Sequence, residues 1–386
     1  MWNQSIASTV AFWLGSALLF AAAGYAVAAL GAVYKSLRAR ETVPGDGACP
    51  CAVSVLKPLN GAEPGLYENL RSFCVQRHDH YQLVFGVREA SDPAIEVVKR
   101  LRTEFPQLDI QCVVEAGVYG ANLKVSNLLN MLPHARHDWL VLADSDISVP
   151  SDYLARVTAP LADRRVGIVT CLYYGVPRGG FWSRLGCLFI DDWFAPSVRL
   201  AHACGSRRFA FGSTIALRRE SLQAIGGFEA LSDVLADDFW LGELTRQAGL
   251  QTVLSGLMVG TDVSERRLSE LWTHELRWLR TIRSLAPAGF AMSFVCFTWP
   301  VSLLGLWLAP TSLNLCVALA AGLARGVQFF LGRSVIPVAT TWFEVLLTPV
   351  RDLLLLLEWM VALTGWRVKW RGQVMHARKD GSVRYP

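Results

Sequence analysis

Charge is in short supply along this chain of 386 residues: Asp, Glu, Lys and Arg make up 18%, against 52% hydrophobic residues and 14 tryptophans. That balance points away from two soluble domains and toward one domain with membrane segments. Paired-cysteine spacing is also missing. The nine cysteines, at positions 49, 51, 74, 112, 171, 187, 204, 296 and 316, contain no C-x-x-C of the kind that holds zinc, and such scattered thiols read as reduced and packed. Cys49 and Cys51 flank a proline, which is either a weak metal or redox signal or chance. No basic-aromatic interleaving offers a platform for stacked bases, and the net charge of +5 suits anionic lipid better than nucleic acid. No basic region precedes the first apolar run, which argues against a cleaved signal peptide. Internal repeats and low-complexity linkers are absent as well.

The apolar residues that are present concentrate at the two flanks. Ser5 to Tyr34 carries no charge and exceeds the roughly 20 residues a helix needs to cross a bilayer. Lys35, Arg38 and Arg40 follow, and basic residues beside a span tend to stay in the cytoplasm, so the soluble region is expected to face the cytosol. The second flank has apolar segments at 288–309, 311–331 and 343–364. Arg325 interrupts the second, while Glu344, Arg351, Asp352 and Glu358 punctuate the third. Charges at bilayer depth are rare, so these two segments are expected to be partly interfacial or re-entrant. Placing the basic end in the cytosol requires one of the three not to span. The predicted organisation is a membrane anchor at 1–40, a soluble domain at 51–285, a membrane region at 286–365 and a basic tail at 366–386.

Between the flanks, strand and helix signals alternate. "AVSVLKPLNG", "YQLVFGVRE", "LDIQCVVE", "HDWLVLADSD", "VGIVTCLYYG" and "FAFGSTIALRR" read as strands. "DPAIEVVKRLRTEF", with Asp92 placed to cap and Pro93 in the first turn, "ANLKVSNLLNML" and "DDFWLGELTRQAG" read as helices. Such alternation predicts an α/β fold with a mostly parallel sheet, whose ligands bind beyond the carboxyl ends of the strands. Asp144 and Asp146 stand there. "SERRLSELWTHELRWLRTIRSL" is amphipathic: Leu268, Leu271, Trp272, Leu276, Leu279 and Ile282 share one side, interrupted by Glu275. His274, Arg277, Trp278 and Thr281 take the other, and a helix of this kind suits a membrane surface.

Four features fall in chain order: Asp92 in "EASDPA", Asp144 and Asp146 in "ADSDI", Asp237 and Asp238 in "LADDFW", and Arg277 with Trp278 in "HELRW". Singly, each has an ordinary structural explanation. Together they resemble the family 2 inverting glycosyltransferases, and within them the ceramide glucosyltransferases and related bacterial hopanoid glycosyltransferases. "VSVLKPLNG", "SDPAIEVVKRL", "NLKVSNL", "IGGFEAL" and "WRGQVMHAR" extend the resemblance over nearly the whole chain. One departure stands at His274, where the family's closing motif has Gln or Arg.

The resemblance implies a GT-A-like, Rossmann-like sheet with flanking transmembrane or interfacial helices, and an integral protein of the bacterial inner membrane. It implies transfer of one hexose from a UDP-sugar to a lipid hydroxyl. The leading acceptor is a hopanoid polyol such as bacteriohopanetetrol, receiving N-acetylglucosamine; ceramide receiving glucose is the alternative. A processive polysaccharide synthase fits less well, because the closing membrane region is short and the Gln of its usual motif is absent. A scaffold that kept the fold without turnover is the rival of another class. Asp144 and Asp146 would hold Mg or Mn, which neutralises the leaving diphosphate. Lys124, at a helix start, would meet nucleotide phosphate alongside the helix amides. Pro58 and Asp92 belong to the donor side, with helix capping as the other reading of Asp92. Asp238 would be the base and Asp237 the acid before it, or either the helix cap. Arg277 would contact the diphosphate. His274 would donate to a phosphate or acceptor oxygen. Trp278 would floor the acceptor site or anchor the chain at the membrane interface.

Overall fold

The structure is a computed structural model that describes residues 2–39, 51–339, 341–365, 367–370, 373–377 and 383–384. Arg40, Cys49 and most of the stretch at 366–386 lie outside the described residues. The chain gathers into two compact units, one comprising Met1–Ala39, Gly179–Gly205 and Glu265–Val374, the other Arg40–Arg178, Ser206–Ser264 and Met375–Pro386.

The second unit is built on eight strands: β1 Val53–Pro58, β2 Tyr81–Val87, β3 Asp109–Val114, β4 Trp139–Leu142, β5 Ile147–Ser148, β6 Val166–Pro177, β7 Ile215–Arg218 and β8 Gln251–Val263. Their order across the sheet is β3-β2-β1-β4-β7-β6-β8-β5. β1, β2, β3 and β4 run parallel; β7 is antiparallel to both β4 and β6, and β6 and β8 are parallel. Side chains leave a strand on alternate faces, so the sheet has two cores. Val53, Val55 and Val141 join the cluster with Phe73 and Tyr153, while Leu56, Leu140 and Leu142 join the cluster with Leu128 and Phe228. All of β1 is buried, as expected of a parallel strand covered on both sides. β8, at 13 residues, is the longest strand and carries no alternating apolar signature.

The first unit is helical. Among the described residues two helices are long and apolar enough to cross a membrane, Ile6–Arg38 and Ser312–Arg333, and Pro287–Cys296 with Thr298–Leu308 would make a third span bent by 71°. The bend falls in the first of the three closing apolar segments and the second qualifies as a span, both against the sequence expectation, whereas the third, Trp342–Ala362, is not among the helices that qualify, in line with it. The second is a continuous helix because Arg325 does not meet lipid: it is 2% exposed and its guanidinium reaches Asp192 at 2.6 Å and Asp352 at 3.2 Å.

The same arrangement recurs. Arg333 lies between Asp191 and Glu344, and Arg351 between Glu275 and Glu358. Glu275, which interrupts the apolar side of the Leu268–Leu285 helix, is thereby accounted for as a buried partner of Arg351. The Trp342–Ala362 helix buries Glu344, Arg351, Asp352 and Glu358 and turns Phe343, Leu346, Val350, Leu353 and Leu357 outward. It is amphipathic in the inverse sense to a helix of a water-soluble protein. Gly15 and Gly305 let two helices touch, since a Cβ on Gly15 would lie 2.6 Å from Leu308 Cβ and 2.8 Å from the Gly305 carbonyl. Buried thiols such as Cys74 and Cys187 are packed as expected, but Cys204 and Cys316 are exposed.

Removing one member of such a triad strands the others. Arg325→Met is expected to cost about 3–5 kcal/mol, read as a lower melting temperature in detergent. Arg325→Met combined with Asp192→Asn and Asp352→Asn is expected to regain most of that loss.

Candidate active site

The strand order reverses between β1 and β4, and a reversal of this kind opens a crevice beyond the strand ends. Pro58 closes β1 there, and Asp144 follows β4. The Ala143 N–H donates to the Leu56 carbonyl at 3.3 Å and the Asp144 N–H to the Gly212 carbonyl at 3.1 Å, so the backbone leaving β4 is tied on both sides. Pro58, Lys124, Asp144, Gly212 and Asp237 line one small hollow at this point.

Lys124 stands at its centre. Its ammonium is 2.7 Å from Asp144 Oδ1 and 3.1 Å from Asp237 Oδ2, joining acids that are far apart in sequence. Burial alone would lower its pKa, but Asp144, Asp237 and Asp238 outweigh that and raise it. The Leu123–Met131 helix that carries it is capped by Asn122, whose side-chain oxygen accepts from the N–H groups of Lys124 at 3.0 Å and Val125 at 3.2 Å. These two amides are therefore committed to the cap, which corrects the expectation that they face phosphate. The Asn122 amide also donates to Asp237 Oδ1 at 3.3 Å, so one buried asparagine fixes both the lysine and the acid it pairs with. Sequence reasoning quoted the segment but passed over this residue.

Asp237 and Asp238 occupy the first turn of the Asp237–Gln247 helix; neither is its N-cap, which is Ala236. Asp238 accepts from its neighbour Phe239 N–H at 2.8 Å and from Gly212 N–H at 3.0 Å. Burial and then Asp237 push its carboxyl up to about 6, against the pull of Lys124 and the two amides. Gly212 thus holds Asp238 with its N–H and Asp144 with its carbonyl. A Cβ there would lie 2.6 Å from Asp144 Oδ2 and 3.1 Å from Lys124 Nζ, so any side chain would displace those two groups.

Asp146 accepts from the Thr261 hydroxyl at 2.9 Å, and burial together with Asp144 raises its carboxyl to about 7. Lys57, buried in β1, is a positive charge that opposes this rise; burial lowers its own pKa to about 7, against Asp146 and Asp144. Among the described residues no three carboxylate, imidazole or thiol groups converge to hold a metal by themselves. Two carboxylates short of positive charge do fit a cation whose remaining ligands are substrate phosphate and water, as is usual for magnesium.

Asp92 bridges two roles in structure. Its carboxylate accepts from Ala94 N–H at 2.8 Å, at the start of the Ala94–Glu104 helix whose N-cap is Pro93, and from Gly61 N–H at 3.0 and 3.1 Å, pinning the loop after β1. His274, Arg277 and Trp278 belong to the helical unit, on the Leu268–Leu285 helix. The His274 ring pairs through Nδ1 with Glu265 and stands edge-on to Trp278, centroids 4.6 Å apart, and Trp278 in turn meets Phe189 at 5.4 Å. The carboxylate of Glu265 gives His274 an acidic partner that a motif read in isolation does not reveal.

A family model described as glycosyl transferase family 21 matches residues 17–383. Ceramide glucosyltransferase 3 of Caenorhabditis elegans is 26% identical over 258 residues, 66% of this chain and 55% of its own length. A beta-monoglucosyldiacylglycerol synthase of Synechocystis is 26% identical over 206 residues, 52% of this chain and 41% of its own. The chain thus spans about half the length of the curated relatives it matches. Among solved structures, a mannosyltransferase from Pyrobaculum calidifontis in complex with GDP-Man and Mn2+ superposes with a TM-score of 0.55 at 20% identity, covering 91% of this chain and 98% of that one. This likeness speaks to the fold.

Gly212→Ala forces Asp144 and Lys124 apart and should lower kcat/KM by about 10²-fold, with the melting temperature little changed. A carboxylate takes a proton only when ionised, so with Asp238 as the base expected from the sequence, kcat/KM should fall as pH drops through about 6. Its raised pKa also means that ionised Asp238 opposes folding: stability is lost as pH rises from the unfolded value of about 4 to the folded one, and stays lost above it. Asp238→Asn should therefore be at least as heat-stable as the wild type at neutral pH while losing transfer, as checked by calorimetry and a product assay.

Proposed function

The chain belongs to glycosyl transferase family 21, and from that premise we propose that it transfers one sugar, with inversion, from a UDP-sugar to the hydroxyl of a membrane lipid. The observation that carries this reading is the single ammonium of Lys124 set between Asp144 and Asp237, with Asp238 beside it, at the strand-order reversal of the sheet. A diphosphate leaving group and an attacking hydroxyl need those opposite functions within a few ångströms of one another.

In this proposal the acceptor oxygen attacks the anomeric carbon as the bond to the diphosphate oxygen breaks, and the hydroxyl proton passes to the Asp238 carboxylate. UDP departs from the face opposite the attack. A divalent cation shared by Asp144, Asp146 and the diphosphate would supply charge neutralisation for the leaving group. Lys124 adds its positive charge there, and Asp237 with Asn122 holds the ammonium in place. Pro58 and Asp92 border the donor, Asp92 by fixing the Leu59–Gly61 backbone. For Arg277, His274 and Trp278 the family resemblance supports contact with diphosphate and acceptor.

Ceramide is the better supported acceptor, because the relatives are ceramide glucosyltransferases and a glucosyldiacylglycerol synthase. The hopanoid polyol with N-acetylglucosamine rests on motif likeness alone. A cytosolic placement of the sheet unit is supported by Lys35 and Arg38 in the last turn of the first apolar helix, and a bacterial inner membrane by the motif likeness alone.

The purified protein with Mg2+ or Mn2+ is expected to release UDP from a UDP-sugar only when lipid acceptor is present, with ceramide exceeding a hopanoid polyol in product separated by thin-layer chromatography. Asp144→Asn should abolish donor binding while the fold persists. Absence of UDP release under every donor and lipid pairing would favour the scaffold reading.

A further inference from the structure

Lys57 has no role in the chemistry above, yet its placement is costly. It is the one charged residue of β1, it is 0% exposed, and Val53, Val55 and Leu56 beside it belong to the cores. An ammonium withdrawn from water costs several kcal/mol unless it is paired; a methionine of similar length would fill the same space without that cost. Its hydrogen bond leads to the turn between β4 and β5. The Nζ donates to the main-chain carbonyl of Asp144 at 2.7 Å, and it sits 3.8 Å from the centre of the Phe73 ring. The same carbonyl accepts from Ile147 N–H at 3.4 Å, so the ammonium lies under a turn whose two exits carry Asp144 and Asp146. On its far side the turn is tied to β8, through Thr261 to the Asp146 carboxylate and through Asp262 N–H to the Asp146 carbonyl at 3.0 Å.

We propose that Lys57 is a positioning residue for the cation site: it pins the 144–147 turn from beneath, so that Asp144 and Asp146 stand ready before cation and diphosphate arrive. The inference rests on reading this site as a sugar-nucleotide site. Two like-charged carboxylates side by side repel, and Lys57 offsets that repulsion during folding, so less of it is left to overcome on binding. A positive charge near a divalent cation also repels it, an effect of opposite sign, and direct measurement of cation affinity separates the two.

The full chain in detergent is titrated with Mn2+, free ion being followed by its electron paramagnetic resonance signal, with and without UDP and with no turnover. Lys57→Met is expected to weaken Mn2+ binding by about tenfold or more, the loss usual when support behind a ligand is removed. In the transfer assay the same variant should need more Mn2+ for half-maximal rate while its maximal rate stays near that of the wild type. Lys57→Gln, which keeps an N–H donor for the Asp144 carbonyl, should bind Mn2+ close to the wild-type value. Unchanged or tighter binding by folded Lys57→Met would overturn the proposal; should that variant not fold, tighter binding by Lys57→Gln would do so. A wild-type protein that binds neither Mn2+ nor UDP would instead overturn the parent reading, so the two failures are distinct.

Discussion

One ammonium between two carboxylates sets the terms for the sheet unit. Asp144 leaves β4, Asp237 opens a helix more than ninety residues later, and Lys124 at 2.7 and 3.1 Å is what brings them together. Four aspartates crowd this end of the sheet; burial first, and then the neighbouring carboxylate, raises the carboxyls of Asp146 and Asp238. The supporting contacts serve that convergence: Asn122 holds lysine and acid at once, Gly212 has no side chain, and Lys57 is sacrificed to the core. The remaining shortage of positive charge is what makes the crevice suited to a substrate accompanied by a cation.

The helical unit solves the same problem differently. Three of its buried arginines each lie between two carboxylates: Arg325 with Asp192 and Asp352, Arg333 with Asp191 and Glu344, Arg351 with Glu275 and Glu358. In each triad one guanidinium serves two carboxylates, and all six acids lie within ion-pair distance of an arginine, which ties distant helices to one another. Such pairing stiffens; at the strand ends Asp146 and Asp238 are held by hydroxyl and amide donors instead, a setting that a cation can complete.

Much of the sheet was legible in the chain because β1 to β4 and β6 are short apolar runs closed by proline, glycine or acid. β8 was not: Gly256, Gly260 and its scattered polar residues hide a strand whose pairing with β6 includes a register shift. The acids were legible as a set through their order. Lys57 and Asn122 were not, since a lysine in an apolar strand and an asparagine before a helix look ordinary until their partners, remote in sequence, are known. Glu275 looked like an exception and Arg325 like a break in a membrane segment for the same reason: the opposing charges lie on other helices.

The inverse amphipathicity of the Trp342–Ala362 helix reaches beyond its own packing. Its outward leucines and phenylalanine invite trimming by anyone seeking a version that stays in solution without detergent. Yet this helix supplies Glu344, Arg351, Asp352 and Glu358. A shortened chain would leave Glu275 without its guanidinium and rob Arg325 and Arg333 of one carboxylate each. A helix that shows the surroundings an apolar face is thus a counter-charge reservoir for the helices before it.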